Sequence, residues 1–215
     1  HCGGSVTQPG PKPQNARGDA GPPTAATSYP AGSSPRVRLI LAGLTWVFDA
    51  DVGGPASPLA FWGFGPGWVT EPPQCAVLAG PATDESTTKG WSGSGPGGIV
   101  HTVVTGSPTA PVTLEPGAAA DCGHWTATSG NTSGTVDLVD APAIDGATTV
   151  GMHTVAKTVV EGGRETTSSA YTFNAYVDDY LTSVTVVTDP GSPNPPLGGK
   201  FAADLLVKTV SALRG

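Results

Sequence analysis

The chain has 215 residues, ten Lys and Arg against seventeen Asp and Glu, and a formal net charge of −7 at pH 7. So few cations leave no basic face to displace counterions from a nucleic acid or to dock on anionic lipid headgroups, so both partners are excluded. No run of about 18 apolar residues is present, so no helix is expected to span a bilayer and any membrane attachment is expected to be covalent.

The sequence opens His1-Cys2-Gly3-Gly4-Ser5 and continues for some thirty residues in Pro, Gly, Ser, Thr and Ala. A cysteine followed by small residues and a polar tether has the form of a processed bacterial lipoprotein. In such a protein a signal peptide is removed and the sulfur carries diacylglycerol, with palmitate-type chains. Two acyl chains anchor stably where one is marginal, so Cys2 is the expected lipidation site. His1 departs from this pattern, because cleavage would leave Cys2 first. Residues 1–34 are expected to be a disordered, flexible tether with a mean reach of roughly 30–35 Å. A copper site built on His1 would need a rigid start and a second paired histidine, and neither fits a Pro-rich tail. Arg17-Gly18-Asp19 is too short a match to carry meaning.

A single domain is expected over 35–215. Leu39 to Leu44 and Ser57 to Trp62 read as short helices, the second with Ser57 as cap and Pro58 in its first turn. Thr45 to Phe48 reads as a strand between them. Gly98 to Val104, Trp125 to Thr128, Thr135 to Val139, Met152 to Val160, Glu165 to Tyr176 and Leu181 to Val187 have the β-branched runs of strands. Asn131 to Gly134 and Gly162-Gly163 read as turns. Gly90 to Gly95, continued by Pro96-Gly97-Gly98, reads as a loop. At the end, Phe201, Leu205, Leu206, Val210 and Leu213 recur at helical spacing. These elements give an α+β class: a curved antiparallel β-sheet packed against a few helices, including a C-terminal helix, behind a disordered tether.

Three cysteines leave one over in an exported protein. With Cys2 lipidated, Cys75 and Cys122 are the natural disulfide pair; two buried free thiols are the alternative.

Pro72-Pro73-Gln74-Cys75-Ala76, Asp121-Cys122-Gly123-His124-Trp125, the hairpin at Glu161-Gly162-Gly163, Tyr176 to Thr188 and Phe201 to Lys208 together resemble a mycobacterial cell-envelope lipoprotein family of unknown function. It is distantly similar to the extracellular sensor domain of PknH-type receptor kinases. The resemblance covers roughly residues 35–215. It implies a curved antiparallel sheet with helices against it, a Cys75–Cys122 disulfide and a ligand-binding module, and it carries over no ligand residue.

Candidate chemistry is sparse. Gly90-Trp91-Ser92-Gly93-Ser94-Gly95 misses the Gly-x-Ser-x-Gly elbow at both serines. Asp178 and Asp179 are adjacent, so on a strand they would face opposite ways; a turn is the better reading. His101, His124 and His153 have no metal-ligand spacing. Hence no catalytic residue, metal or cofactor is expected. Trp62, Phe64 and Trp68 sit among glycines, and with Trp91 they are the candidate surface for an apolar ligand or an envelope protein partner. The expected function is therefore non-catalytic: a lipid-anchored protein on the extracytoplasmic face of the plasma membrane that binds a ligand or partner. An accessory subunit of a membrane complex and an envelope hydrolase are the alternatives.

Overall fold

The computed structural model of the chain describes residues 47–49, 68–80, 88–106, 117, 120–188 and 191–215, all within the compact unit Ala31–Gly215. The tether 1–34, the helix candidates at 39–44 and 57–62, Cys2, Trp62 and Phe64 lie outside the described residues.

In chain order the elements are β1 (Val47–Asp49), β2 (Val69–Glu71), a 3-10 turn (Pro73–Cys75), α1 (Ala76–Ala79), β3 (Thr88–Gly95) and β4 (Gly98–Gly106). There follow β5 (His124–Ser129), β6 (Thr132–Val139), β7 (Ala147–Val159), β8 (Glu165–Val177), β9 (Tyr180–Thr188) and α2 (Gly199–Arg214). The nine strands of the described residues join one open sheet in the order β1-β3-β4-β9-β8-β7-β6-β5-β2, antiparallel at every pairing. Strands β5 to β9 form a meander, because each adjoining pair is joined by a connection short enough to reverse the chain. The β3–β4 hairpin adds to one side of it and β2 to the other. Both edge strands are three residues long, which keeps the open ladder short.

Residues 90–95 and 98 are not a loop. Gly90 to Gly95 belong to β3, whose ladder with β4 runs from Thr88↔Thr105 to Gly95↔Gly98. Glycine-rich composition masked the strand, and cross-strand pairing overrode the weak local preference. The Pro96-Gly97 turn closes this hairpin with Gly97 at φ 90°. A side chain there would also run into the Pro195 carbonyl oxygen, because Leu197 N donates to Gly97 O and holds the 191–198 segment against the turn. Asp178 and Asp179 are the two-residue turn between β8 and β9, with Asp178 at φ 49°.

The period-2 alternation of β8 divides the sheet into two faces. Phe173, Ala175 and Val177 pack with Val100, Val184 and Val186 beneath α2. We call this the helix face. In α2 the buried residues Ala202, Leu205, Leu206, Thr209 and Val210 follow the i, i+3, i+4, i+7, i+8 spacing of one helical stripe. Thr209 is accommodated there because its hydroxyl donates to Leu205 O at 2.9 Å. On the opposite, cap face, Trp125, Ala127, Val136, Val150, Met152, Tyr176 and Leu181 pack with Leu78 and Ala79 of α1. The Cys75–Cys122 disulfide, also fully buried, ties this cap to the segment entering β5.

Candidate functional site

Among the described residues, α2 packs on β8 and β9 and leaves open the helix face of β5, of β6 short of Val139 and of much of β7. That open area is rich in hydroxyls: Thr126 and Thr128 of β5 and Ser133 and Thr135 of β6 are exposed, with Lys157 of β7 beside them. One cross-strand row carries the ionisable and aromatic groups. His124 is opposite Asp137, Asp137 is opposite His153, and His153 is opposite Tyr171. The row follows from register: the turn after Ser129 fixes the first pair, and the two next ladders extend it across four strands.

His124 Nδ1 lies 2.6 Å from Asp137 Oδ1, and both side chains are at least half exposed. A carboxylate only accepts, so Nδ1–H donates and Nε2 is left as the other nitrogen of the ring. At this exposure the pair contributes little stability, and its consequence is orientation. His153 is set differently. Its Nε2 is 2.9 Å from Ser169 Oγ, and its ring stacks on Tyr171 at 4.4 Å between centroids with 19° between planes. The Tyr171 ring in turn lies against the first turn of α2, where a Cβ on Gly199 would meet it at 2.9 Å. Two histidines, a carboxylate and a tyrosine are thus held in line on an open surface. Asp137, Ser169 and Tyr171 were missed from sequence; the available signal was the register of β5 on β6.

The cap face differs in kind. Across β4, β9 and β8 it carries His101 opposite Thr185, Thr185 opposite Thr172, and Ser183 opposite Asn174. Thr172 and Thr185 bond each other at 2.9 Å, and Asn174 Nδ2 donates to Leu78 O of α1 at 3.2 Å. Burial brings His101 down to about 4 and pushes Tyr176 up to about 12, so both are neutral near pH 7. This part of the face is polar and carries no Asp, Glu, Lys or Arg.

Of the sequence-derived surface candidates, Trp68 is half-buried and packs on the cap-face core, its ring against Gly80. Trp91 lies on β3 opposite Thr102, its side chain outside the described residues. Cys75 and Cys122 form the disulfide. Among the described residues no group of three or more His, Cys, Asp or Glu has the geometry of a metal site, and no helix is long and apolar enough to cross a membrane.

A search of curated proteins returns no match. Among solved structures, the chain is similar to an uncharacterised protein from Mycobacterium smegmatis, the ortholog of Rv0999. Identity is 27%, the TM-score is 0.53, and the match covers 71% of this chain and 79% of that one. A mycobacterial relative with no assigned activity agrees with the sequence resemblance at the level of a mycobacterial family of unknown function. The model of the domain of unknown function DUF5642 matches residues 46–214, which takes in every described element, and the chain belongs to that family.

Proposed function

We propose that this protein is a lipid-anchored component of the cell envelope, held through Cys2 on the extracytoplasmic side of the membrane, whose domain binds a ligand or protein partner without catalysing a reaction. The observation that carries the reading is the open half of the helix face, with His124, Asp137, His153 and Tyr171 aligned across it. Polar groups held by strands on an uncovered surface suit recognition, because their positions are set by the ladder before a partner arrives. A fully buried disulfide accords with an oxidising, exported setting. The distant likeness to PknH-type sensor domains supports the same reading.

The test has two arms. Expressed with a signal peptide in a mycobacterial host, the wild type should partition into detergent and give a diacylglyceryl-modified Cys2 peptide by mass spectrometry. Cys2→Ala should partition into water. Cross-linked from native membranes, the wild type should enrich a defined partner or ligand that His153→Ala and Asp137→Ala, both folded by circular dichroism, no longer enrich. Equal enrichment by all three proteins would remove the row from the reading.

A second reading, an envelope hydrolase, rests on one observation: Ser169 Oγ lies 2.9 Å from His153 Nε2, the spacing of a nucleophile and its base. Against it, Asp137 Oδ1, the carboxylate beside His153 in the row, is bonded to His124. Turnover of an ester panel that disappears in Ser169→Ala would establish the hydrolase.

A further inference from the structure

We propose that the open half of the helix face holds an uncharged polysaccharide, lying across the strands with about one sugar unit on each. That this face recognises a ligand is the reading given above, and the ligand class rests on it. From His124 to Thr128 and from Thr132 to Val136, residues on one face are exposed and those on the other are buried. The exposed side is the helix face that α2 leaves open.

Register sorts its side chains into rows. Glu71, Thr126, Thr135, Val155 and Ser169 follow one another across β2, β5, β6, β7 and β8. A parallel row runs from Val69 through Thr128 and Ser133 to Lys157. Most of these side chains are short. Along the other side of the first row stand the longer groups from His124 to Tyr171. The surface is therefore a step, with a low floor of hydroxyls and one wall of rings and a carboxylate. The wall is held in place: Asp137 is bonded to His124, and His153 is bonded to Ser169 and stacked on Tyr171.

Charge decides against other ligand classes. The two floor rows hold one cation, Lys157, and one anion, Glu71, and the carboxylate of the wall is already paired with His124. Neither a polyanion nor a polycation finds a matching array of charge. An apolar chain would desolvate the floor hydroxyls without bonding them. A peptide added as a strand needs an open ladder edge, and β5, β6 and β7 are each paired on both sides. A hydroxylated chain meets every condition. Each floor hydroxyl can donate or accept, as can each hydroxyl of a sugar. Strands repeat at about 4.8 Å, close to the length of one pyranose unit, so about four units span β5 to β8 in step with the rows.

The test titrates the full chain with linear glucose, mannose and galactose oligomers of increasing length, followed by amide NMR. Affinity should rise with each unit up to about four and then level off, as the strand spacing requires. Shifts should fall around Thr126 and Thr135 and spare the cap face, and added salt should not weaken binding. Thr126→Val combined with Thr135→Val keeps a β-branched residue at both positions and removes two hydroxyls. The double variant should melt like the wild type and bind at least about tenfold more weakly. Silence from every oligomer, equal affinity at all lengths or full binding by the double variant overturns the proposal. So does binding of heparin alone, lost in high salt. The wider reading fails separately. If the oligomers are silent while the native-membrane cross-link still needs Asp137 and His153, only the polysaccharide is wrong; if that cross-link needs neither, the recognition surface falls with it.

Discussion

The two faces of the sheet solve the same problem with unequal means. Over β8 and β9 the helix face is covered by sixteen residues of one amphipathic helix, whose buried stripe meets valines and Phe173 from the strands. The cap face is covered, among the described residues, by a single 3-10 turn and a four-residue helix, from which only Cys75, Leu78 and Ala79 are buried. So short a cap cannot hold itself helical or bury enough area to stay in place by packing alone. Covalent closure compensates, with a disulfide across a sequence separation of 47 residues. The polar load is divided the same way. The cap face carries Thr172, Asn174, Ser183 and Thr185, all fully or almost fully buried, where the helix face buries Thr102 and Thr182 among Phe173, Ala175, Val177 and Val184. Both faces are built as cores, and the cap face holds the larger share of buried polar groups.

The comparison breaks most sharply at the disulfide. Replacing Cys75 and Cys122 by Ala should cost about 4 kcal/mol in urea unfolding, the chain-entropy value for a loop of that length. Amide exchange should rise first in α1 and around Trp125, while α2 stays protected. Uniform loss of protection across both faces would show that the cap does not fold as a separate unit. Leu206→Ala is the counterpart under α2. Leu206 is fully buried, and its truncation should cost about 3 kcal/mol through lost transfer energy and the cavity left behind. A loss under about 1 kcal/mol would mean that the helix face is loosely packed, against the difference drawn here.

A third effect belongs to the cap face alone. His101 titrates at about 4 in the folded protein, against 6.5 for an unperturbed ring, because burial disfavours its charged form. Below about pH 6.5 the unfolded chain takes up a proton that the folded chain refuses, so stability falls as pH drops from about 6.5 towards 4. His101→Gln should lose that part of the slope. Urea midpoints at pH 7.5 and pH 5.0 should converge in the variant relative to wild type. Parallel slopes in the two proteins would place the His101 ring in water.

The elements that the sequence made legible are those in which one local rule sufficed. The stripe from Phe201 to Leu213 is one helix, found as Gly199–Arg214. The β-branched runs from Gly98 onward are strands, and Gly162-Gly163 and Asp178-Asp179 are turns. What was hidden depended on pairing. Gly90 to Gly95 look like a loop until β4 is beside them, and the 3-10 turn and α1 exist because a disulfide and a core hold residues that would not be helical alone. The turn between β5 and β6 lies at Gly130-Asn131, two residues before the centre expected from Asn131 to Gly134. That small error conceals the site, because only the true register sets His124 against Asp137 and Asp137 against His153.

The smallest expected effect sharpens the helix face. Its long helix is self-sufficient in packing but begins poorly. Gly198 stands at the N-cap with no side-chain hydrogen bond, and the first turn holds no acidic residue. Instead the first turn carries Lys200, whose positive charge is adverse at the N-terminus and is offset by its i,i+4 pairing with Asp204 at 2.8 Å. Gly198 has φ −117° and ψ −175°, an extended conformation that any residue adopts, and a Cβ built there meets nothing within 4 Å. A serine at this position can therefore turn its hydroxyl to one of the free N–H groups at the start of α2 without strain. Gly198→Ser should raise stability by roughly a few tenths of a kcal/mol, partly by capping and partly by narrowing the unfolded ensemble. Slower amide exchange should be confined to the first turn of α2. A net loss of stability would mean that the glycine is needed for the approach of the 191–198 segment to Gly97, which would make that segment, and not the helix stripe, the limiting contact on this face.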